Sequence, residues 1–408
     1  MLEKVVLLIF DGLGDRPLDA LGGLTPLESA NTKNLDTLAR ESFCGMMYTL
    51  GRGLTPGSDV AHLSILGYDI EKFYSGRGPI EAAGIGLKLQ PGDVALRGNL
   101  GTVGEKLVIK DRRAGRIRDV EPFTKTIDGM EVDGVTFIIK PGTGHRAGVI
   151  MRGKGLSSAI TDADPHEVGK PVNTVEPTDD TPQAKRTADV LNRFLKEAHE
   201  ALEKNELNKE RVSQDKPKAN FLLVRGAGQY HGVPEFKERY GLSACCIAGA
   251  GLYKGVGAFL GMDVLKVPGA TGLPDTDVAA KFTEAVKQLK SHDFAFIHVK
   301  AADSLGEDGN PQGKKEFIEK SDKAIAVLQD LPDNVLLIVT ADHSTPCELK
   351  HHSADPVPII FHGKGVRVDK VTSFGERACT EGGLGFIHGK DVMPIALDFL
   401  GRSPLLGA

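Results

Sequence analysis

The chain has 408 residues, with 50 basic and 55 acidic side chains and a formal net charge of −5 at neutral pH. This length exceeds one typical compact core, so two domains are expected. The charge balance excludes the basic excess of a nucleic-acid-binding face, and the apolar runs are too short to span a membrane. Five cysteines without a C-x-x-C pair, and an N-terminus without an apolar leader, favour a soluble protein of the reducing cytoplasm.

The first predicted elements are a strand and two helices. Residues 5–10 are a continuous apolar run rich in β-branched side chains, typical of a strand buried on both faces of a parallel sheet. A polar helix is predicted at residues 34–41. After a Pro-Gly break, apolar residues recur at helical spacing through residues 58–66, which predicts a short helix that begins at Ser58. Ser58 is then either a simple N-cap or a hydroxyl placed where a helix N-terminus attracts anions.

The middle of the chain has a different texture. From about residue 72 to 155, short strands alternate with glycines and charged turns, which predicts a smaller, more antiparallel domain. A long amphipathic helix is predicted at 182–204. The charged stretch 205–218 is predicted to be an exposed loop. The short strands are expected at residues 93–100, 107–110 and 135–140.

Strands and helices alternate regularly in the last third of the chain. This alternation predicts right-handed βαβ units and a doubly wound, mostly parallel sheet. We therefore expect an α/β core formed by residues 1–72 and 240–408, with a smaller α+β domain inserted at residues 73–239. The helix at 277–290 is expected to be capped by Asp275 or Thr276. The remaining elements are expected at residues 221–224, 244–248, 294–299, 335–339 and 357–361 (strands) and at 315–328 and 391–400 (helices).

Potential metal ligands follow three predicted strands. Asp11, Asp303 and the pair Asp342-His343 each come after a different strand. Because the carboxyl ends of parallel strands meet at one edge of a sheet, these side chains should converge. Clustered carboxylates repel each other unless a cation neutralises them, so divalent metals are expected there. His352, shortly before the last strand, is a candidate ligand for a second metal.

Four motifs carry a resemblance to a known family. They are Asp11-Gly-Leu-Gly, Gly57-Ser-Asp-Val-Ala-His62, Ala341-Asp-His-Ser344 and His352-Ser-Ala-Asp-Pro-Val-Pro358, in that order. Over essentially the whole chain, the sequence resembles the alkaline phosphatase superfamily, and closely its archaeal-type cofactor-independent phosphoglycerate mutases. The resemblance implies an alkaline-phosphatase-like core. It also implies that the inserted domain binds substrate and closes as a lid.

The same resemblance implies a ligand set. Ser58 would be the nucleophile that accepts the phosphoryl group, and it would share one metal with three other ligands. A second metal would be held by Asp303, His352 and one further residue. Where the family has a histidine four residues after the Asp303 position, this chain has Glu307, which is either a carboxylate ligand or a solvated loop residue. The first metal's ligands would be Asp11, Ser58, Asp342 and His343.

Cations and acids outside these motifs are candidates for substrate binding. Arg152, Arg225 and Lys254 lie beside glycines, where backbone can approach an anion closely. Within the sequence Asp162-Ala-Asp164-Pro-His166, His166 is a further substrate contact. A base is needed for the glycerate hydroxyl that accepts the phosphoryl group; Asp164 is preferred and Asp162 is the alternative.

The predicted function is interconversion of 3-phosphoglycerate and 2-phosphoglycerate through a phosphoserine at Ser58. Two divalent ions are expected, Mn²⁺ or Mg²⁺ first and Co²⁺ or Zn²⁺ as alternatives, without 2,3-bisphosphoglycerate. The partner is the small-molecule substrate, with no nucleic acid or membrane; the oligomeric state is not derivable. The alternatives are a metal-dependent phosphomonoesterase with the same core and a non-catalytic phosphometabolite-binding protein.

Overall fold

The computed structural model describes residues 1–405 and 407, which contain fourteen β-strands and fifteen α-helices. The strands are β1 (Lys4–Phe10), β2 (Ser42–Tyr48), β3 (Val94–Val103), β4 (Ile109–Asp111), β5 (Glu131–Val132), β6 (Val135–Pro141), β7 (Arg146–Arg152), β8 (Phe221–Gln229), β9 (Ala244–Ile247), β10 (Asp263–Val264), β11 (Phe294–Val299), β12 (Val335–Ala341), β13 (Val357–His362) and β14 (Gly385–His388). The helices are α1 (Pro26–Ser29), α2 (Lys33–Arg40), α3 (Ser58–Ile65), α4 (Ile70–Phe73), α5 (Arg77–Gly84), α6 (Glu121–Ile127), α7 (Pro182–Glu203), α8 (Glu206–Ser213), α9 (Phe236–Tyr240), α10 (Gly251–Phe259), α11 (Val278–Gln288), α12 (Ala301–Glu307), α13 (Pro311–Gln329), α14 (Glu376–Cys379) and α15 (Val392–Phe399). Among the described residues, no helix is long and apolar enough to cross a membrane.

The chain forms two compact units. The core unit comprises Met1–Tyr74 and Pro234–Ala408, and the inserted unit comprises Ser75–Val233. From the sequence, the limits are expected at residues 72/73 and 239/240. The roles assigned to the two segments stay predictions.

The core unit contains an eight-stranded sheet in the order β10-β9-β11-β1-β12-β13-β2-β14. Its central strands β9, β11, β1 and β12 pair in parallel, whereas β13 pairs antiparallel with both of its neighbours. Every residue of β11 and β12 is buried, as expected for strands covered on both faces. The predicted α/β class with a mostly parallel sheet is confirmed. The edge strand β14 and the antiparallel direction of β13 were not predicted.

The register of this sheet places the candidate ligands together. Phe10 of β1 pairs with Val299 of β11 and with Ala341 of β12, so the residues that follow these three positions leave the sheet side by side. Gly12 lets the chain after β1 pass close to Asp303 and Thr345. Its φ is +63°, and a Cβ at this position would lie 2.5 Å from the Thr345 hydroxyl and 2.6 Å from the Asp303 Cα.

The inserted unit has its own antiparallel sheet and core. Strands β4-β3-β7-β6-β5 are joined by β8, which pairs with β3. The apolar side of α7 packs on this sheet, where the rings of Phe137 and Phe194 stack with centroids 3.7 Å apart. The predicted small antiparallel domain and the long helix are therefore confirmed.

Two local predictions were wrong, and one open alternative was decided. Residues 206–213 form helix α8 instead of an exposed loop, because Asn205 caps the helix and the buried Asn208 bonds to Leu202 O and Ala219. Helix α11 is capped by Asp277, whose side chain accepts from Ala280 N, and not by Asp275 or Thr276. Helix α3 begins at Ser58, as predicted; its N-cap is Gly57, so the alternative that Ser58 is a simple N-cap is excluded.

Candidate active site

The core unit gathers carboxylates, imidazoles and a serine hydroxyl at the carboxyl edge of its parallel strands. Asp11 follows β1, and Asp342 with His343 follows β12; all three are buried. Asp303 lies in the first turn of α12, three residues beyond the helix N-cap Lys300. The sequence did not predict α12, because a helix of only seven residues shows too little periodicity to be distinguished from the loop after a strand.

His343 lies at the centre of the first group of potential ligands. Its Nε2 is 3.4 Å from Asp11 Oδ1, 3.3 Å from Asp342 Oδ2 and 3.3 Å from Ser58 Oγ. Asp11 Oδ1 and Asp342 Oδ2 are buried without a hydrogen-bond partner among the described residues. A buried acceptor without a partner destabilises the folded protein, so we expect a cation to bind these two oxygens.

The spacing of the donor atoms fits a metal ion. Donors arranged tetrahedrally at bond lengths of ~2.1 Å lie about 3.4 Å apart, which matches the distances around His343 Nε2. Asp342 presents only Oδ2, because its Oδ1 accepts from Gly12 N and His343 N, both at 3.0 Å. The group Asp11, Asp342 and His343, with Ser58 beside it, therefore has the composition and spacing of a metal site.

A second group shares the same edge. Asp303, His343 and His352 offer ligand atoms within 4.8 Å of one another. His352 Nε2 is 3.4 Å from Asp303 Oδ1, and its Nδ1 bonds to Pro56 O at 2.8 Å, which fixes the ring. The His343 and His352 rings stack with centroids 3.6 Å apart. Glu307, the last residue of α12, is exposed and belongs to neither group, so its role as a ligand stays a prediction.

The electrostatics of the site reflect carboxylates crowded together in a buried place. Burial and the neighbouring Asp11 charge raise the pKa of Asp342 well above its usual range. Burial lowers the pKa of His343 to about 3, so this imidazole is neutral and can donate a lone pair to a metal. Asp303 has a lowered pKa: burial opposes its charge, but His352 and Lys300 more than compensate.

Several polar residues behind the ligands were missed by the sequence analysis. The Tyr253 hydroxyl donates to Asp11 Oδ2, and Lys300 Nζ lies 2.6 Å from Asp303 Oδ2. His62, on α3, bonds through Nδ1 to Ser58 O at 2.6 Å, and together with His298 and Asp342 it forms a third buried group within ligand distance. His298 was detectable, because a histidine inside the apolar run of β11 needs a partner. Tyr253 gave no such signal.

The inserted unit brings together four of the predicted substrate and base residues. Arg225 Nη1 is 3.0 Å from His166 Nδ1 and 3.8 Å from Asp164 Oδ2. Asp162 Oδ1 accepts from Gly226 N at 2.7 Å. His166 has a φ of +61°, in the left-handed region that histidine adopts more often than most non-glycine residues.

Arg112 is the residue of this cluster that the sequence analysis missed. Its guanidinium binds Asp164 through two bonds, Nε to Oδ1 at 3.1 Å and Nη2 to Oδ2 at 2.6 Å. Burial alone would raise the pKa of Asp164, but the bonds from Arg112 and from His166 N hold it below its usual value. Asp164 is therefore a firmly ionised carboxylate.

Two predicted substrate residues lie elsewhere. The guanidinium of Arg152 binds Asp93 at 2.9 and 2.7 Å and donates to Lys88 O at 3.0 Å, at the end of β7. Lys254 lies on α10 of the core unit, next to Tyr253, and is half-buried. The structure assigns neither residue to the Asp164 cluster.

The chain is similar over nearly its whole length to several known proteins. Residues 3–399 match the family model of the Metalloenzyme superfamily, so the chain is a member of that superfamily. It is 48% identical to the 2,3-bisphosphoglycerate-independent phosphoglycerate mutase 1 of Methanocaldococcus jannaschii, over 99% of each chain. It is also similar to the solved cofactor-independent phosphoglycerate mutase of Thermoplasma acidophilum (TM-score 0.74, 36% identity, 98% of this chain and 100% of that one). The chain belongs to the 2,3-bisphosphoglycerate-independent phosphoglycerate mutase family, which confirms the resemblance carried by the motifs.

Proposed function

We propose that the protein interconverts 3-phosphoglycerate and 2-phosphoglycerate, with Ser58 as the residue that holds the phosphoryl group between the two half-reactions. The observation that carries this proposal is the position of Ser58 Oγ, 3.3 Å from His343 Nε2 and beside two orphaned carboxylate oxygens. Family membership supports the same reaction. Small-molecule turnover of this kind, in a chain whose five cysteines are free and buried, suits the cytoplasm.

The ligand chemistry supports two divalent ions. Asp11, Ser58, Asp342 and His343 would hold one, and Asp303 with His352 would hold the other. Mixed carboxylate and imidazole donors suit Mn²⁺, so we place Mn²⁺ ahead of Mg²⁺, with Co²⁺ and Zn²⁺ as alternatives. When bound, such ions supply Lewis acidity that lowers the pKa of a coordinated hydroxyl and neutralises phosphoryl oxygens.

The chain's own residues divide the work of transfer. Ser58, on the first turn of α3, presents Oγ where backbone N–H groups and the helix dipole favour anions. In the first half-reaction an Oγ–P bond would form as the P–O bond to glycerate breaks, and the proton lost from Oγ is balanced by one gained by the departing glycerate oxygen. In the second, the other glycerate hydroxyl would lose its proton to the base and bond to phosphorus as the Oγ–P bond breaks and Oγ regains a proton. Arg225 and His166 are the cationic and hydrogen-bonding groups proposed to hold the glycerate part.

The base for the glycerate hydroxyl is one of two carboxylates in the inserted unit. Asp164, the preferred residue on sequence grounds, is held by Arg112 through both oxygens and is therefore a weak base. Asp162 has a more exposed side chain, and its Oδ2 lies 4.0 Å from His166 Nε2. These contacts favour Asp162. Asp162→Asn should then lower kcat much more than it raises KM. If instead only Asp164→Asn lowers kcat in this way, Asp164 is the base.

Isomerisation of 3-phosphoglycerate tests the function directly. The wild type with Mn²⁺ should form 2-phosphoglycerate, followed with a coupled enolase, and release little free phosphate. Ser58→Ala should lose at least 99% of this activity. Ser64→Ala, on the same helix with its hydroxyl bonded to Thr49 O, is the matched control and should stay active. Stoichiometric phosphate release without isomerisation would favour the phosphomonoesterase alternative, and metal binding without either reaction would favour a binding protein.

A further inference from the structure

The two oxygens of Asp11 have different surroundings. Oδ1 has no hydrogen-bond partner among the described residues and lies 3.4 Å from His343 Nε2. Oδ2 points to the opposite side, where it accepts from the Tyr253 hydroxyl and lies 3.3 Å from His298 Nε2 and 3.5 Å from Lys300 Nζ. One oxygen is thus left for a metal, and the other is held by protein groups.

Of the three groups that contact Asp11 Oδ2, Tyr253 holds it most directly. Lys300 is committed to Asp303, with a 2.6 Å contact there against 3.5 Å to Asp11. The His298 contact is not aligned as a hydrogen bond, since both of its ring nitrogens lack a bonded partner among the described residues. Among the described residues, the Tyr253 hydroxyl is therefore the hydrogen-bond donor to Asp11 Oδ2 that is not shared with another carboxylate.

The surroundings of Tyr253 keep its hydroxyl in place as a donor. Its ring is 2% exposed and stacks on the His298 ring, with centroids 3.4 Å apart and planes 17° from parallel. An ordinary tyrosine titrates with a pKa of ~10, so this phenol carries its proton at neutral pH. A neutral donor locked by stacking can orient a carboxylate without adding a charge that would compete with a metal.

We propose that Tyr253 is a positioning residue that keeps Asp11 a monodentate ligand of the metal ion that Asp11, Asp342 and His343 would hold together. The inference rests on the metal site of the proposed function. Partners of this kind orient ligating carboxylates, and their loss typically costs 10–100-fold in metal affinity. Without the hydroxyl, Asp11 can rotate and offer both oxygens or neither.

Tyr253→Phe is the direct test, because it removes one oxygen atom and keeps the stacked ring. Mn²⁺ binding to the metal-free protein should be measured by calorimetry and by electron paramagnetic resonance. The wild type should bind two ions, and the Phe variant should bind one of them 10–100-fold more weakly with the other unchanged. The matched control is Tyr68→Phe: Tyr68 is 1% exposed, and its hydroxyl donates to the backbone carbonyl of Pro234 at 3.0 Å. This control should bind both ions as the wild type does.

A double variant guards against a general structural effect. On an Asp11→Asn background, Tyr253→Phe should cause no further loss of Mn²⁺ affinity, because the ligand it positions is already gone. The d–d spectrum of bound Co²⁺ should change in Tyr253→Phe and not in Tyr68→Phe. Equal Mn²⁺ affinities in Tyr253→Phe and wild type would overturn the positioning role, as would equal losses at both sites. Neither result would contradict the proposed function, which is contradicted only if the wild type fails to isomerise 3-phosphoglycerate.

Discussion

At the scale of single residues, Glu307 stands where the resemblance to the family implies a histidine. It lies four residues after Asp303 on α12, so both side chains share one helical face. Although Glu307 is exposed at the surface, local desolvation and the charge of Asp303 raise its pKa, so the two carboxylates interact even though Glu307 is not part of a ligand group. A carboxylate at this place favours harder cations than an imidazole would.

Glu307→His should shift the preferred activating ion from Mn²⁺ or Mg²⁺ toward Co²⁺ or Zn²⁺. Glu307→Ala should lower the affinity for one of the two ions at least tenfold, because a donor atom or a neutralising charge is lost. Elemental analysis after dialysis against each metal, with kcat for each ion, measures both effects. An alanine variant that keeps two ions and full turnover would show that Glu307 is only a solvated residue.

Glu376 makes the stability of the core unit depend on pH. Burial raises the pKa of this carboxyl to about 7, although Thr25 Oγ1 and Asp15 N donate to it. Because the folded pKa lies above that of the unfolded chain, the linked stability is complete at acid pH and is lost as the pH rises through about 7.

Glu376→Gln should remove that loss. The variant should be more stable than the wild type by about 1–2 kcal/mol at pH 8. The full value, at ~1.4 kcal/mol for each pH unit between 4.5 and about 7, would be larger, and partial exposure of the side chain reduces it. At pH 4.5 it should have no advantage. Urea unfolding at both pH values measures the difference, and an equal advantage at both would exclude titration of Glu376 as the cause.

At the scale of elements, α8 shows how a helix can depend on a single buried amide. Asn208 is 1% exposed, its Nδ2 donates to Leu202 O at 2.8 Å and Ala219 O at 3.1 Å, and its Oδ1 accepts from Ala219 N at 2.7 Å. The helix has almost no apolar face of its own, so these bonds fix it to the rest of the inserted unit. A charged stretch without periodicity could not reveal them.

Asn208→Ala should destabilise the inserted unit by about 2–4 kcal/mol, because three buried backbone groups lose their partner. The comparison is Asn205→Ala, which removes the N-cap bond to Leu207 N and should cost about 1 kcal/mol. Urea unfolding gives both values. If the cap variant proved the more costly, the helix would depend on its terminus instead of on the buried amide.

At the scale of the whole molecule, the two compact units have separate cores, and the candidate metal ligands all belong to the core unit. Mn²⁺ at a thousand times its dissociation constant should stabilise a folded site by about 4 kcal/mol. Scanning calorimetry should therefore show one transition that moves upward with Mn²⁺ and one that does not. Equal shifts of all unfolding transitions would mean that the units unfold together.

The sequence by itself determined the α/β class, the small antiparallel domain and the carboxylates that follow the parallel strands. These features depend on local periodicity and on the rule that parallel strands present their carboxyl ends together. Only the tertiary structure decided which oxygen of Asp11 is free, that Arg112 holds Asp164, and that Tyr253 and Lys300 lie behind the ligands. The contacts of Asp11 join residues far apart in the chain, with Tyr253 242 and Lys300 289 positions away, and no local pattern encodes the orientation of a side chain across that separation.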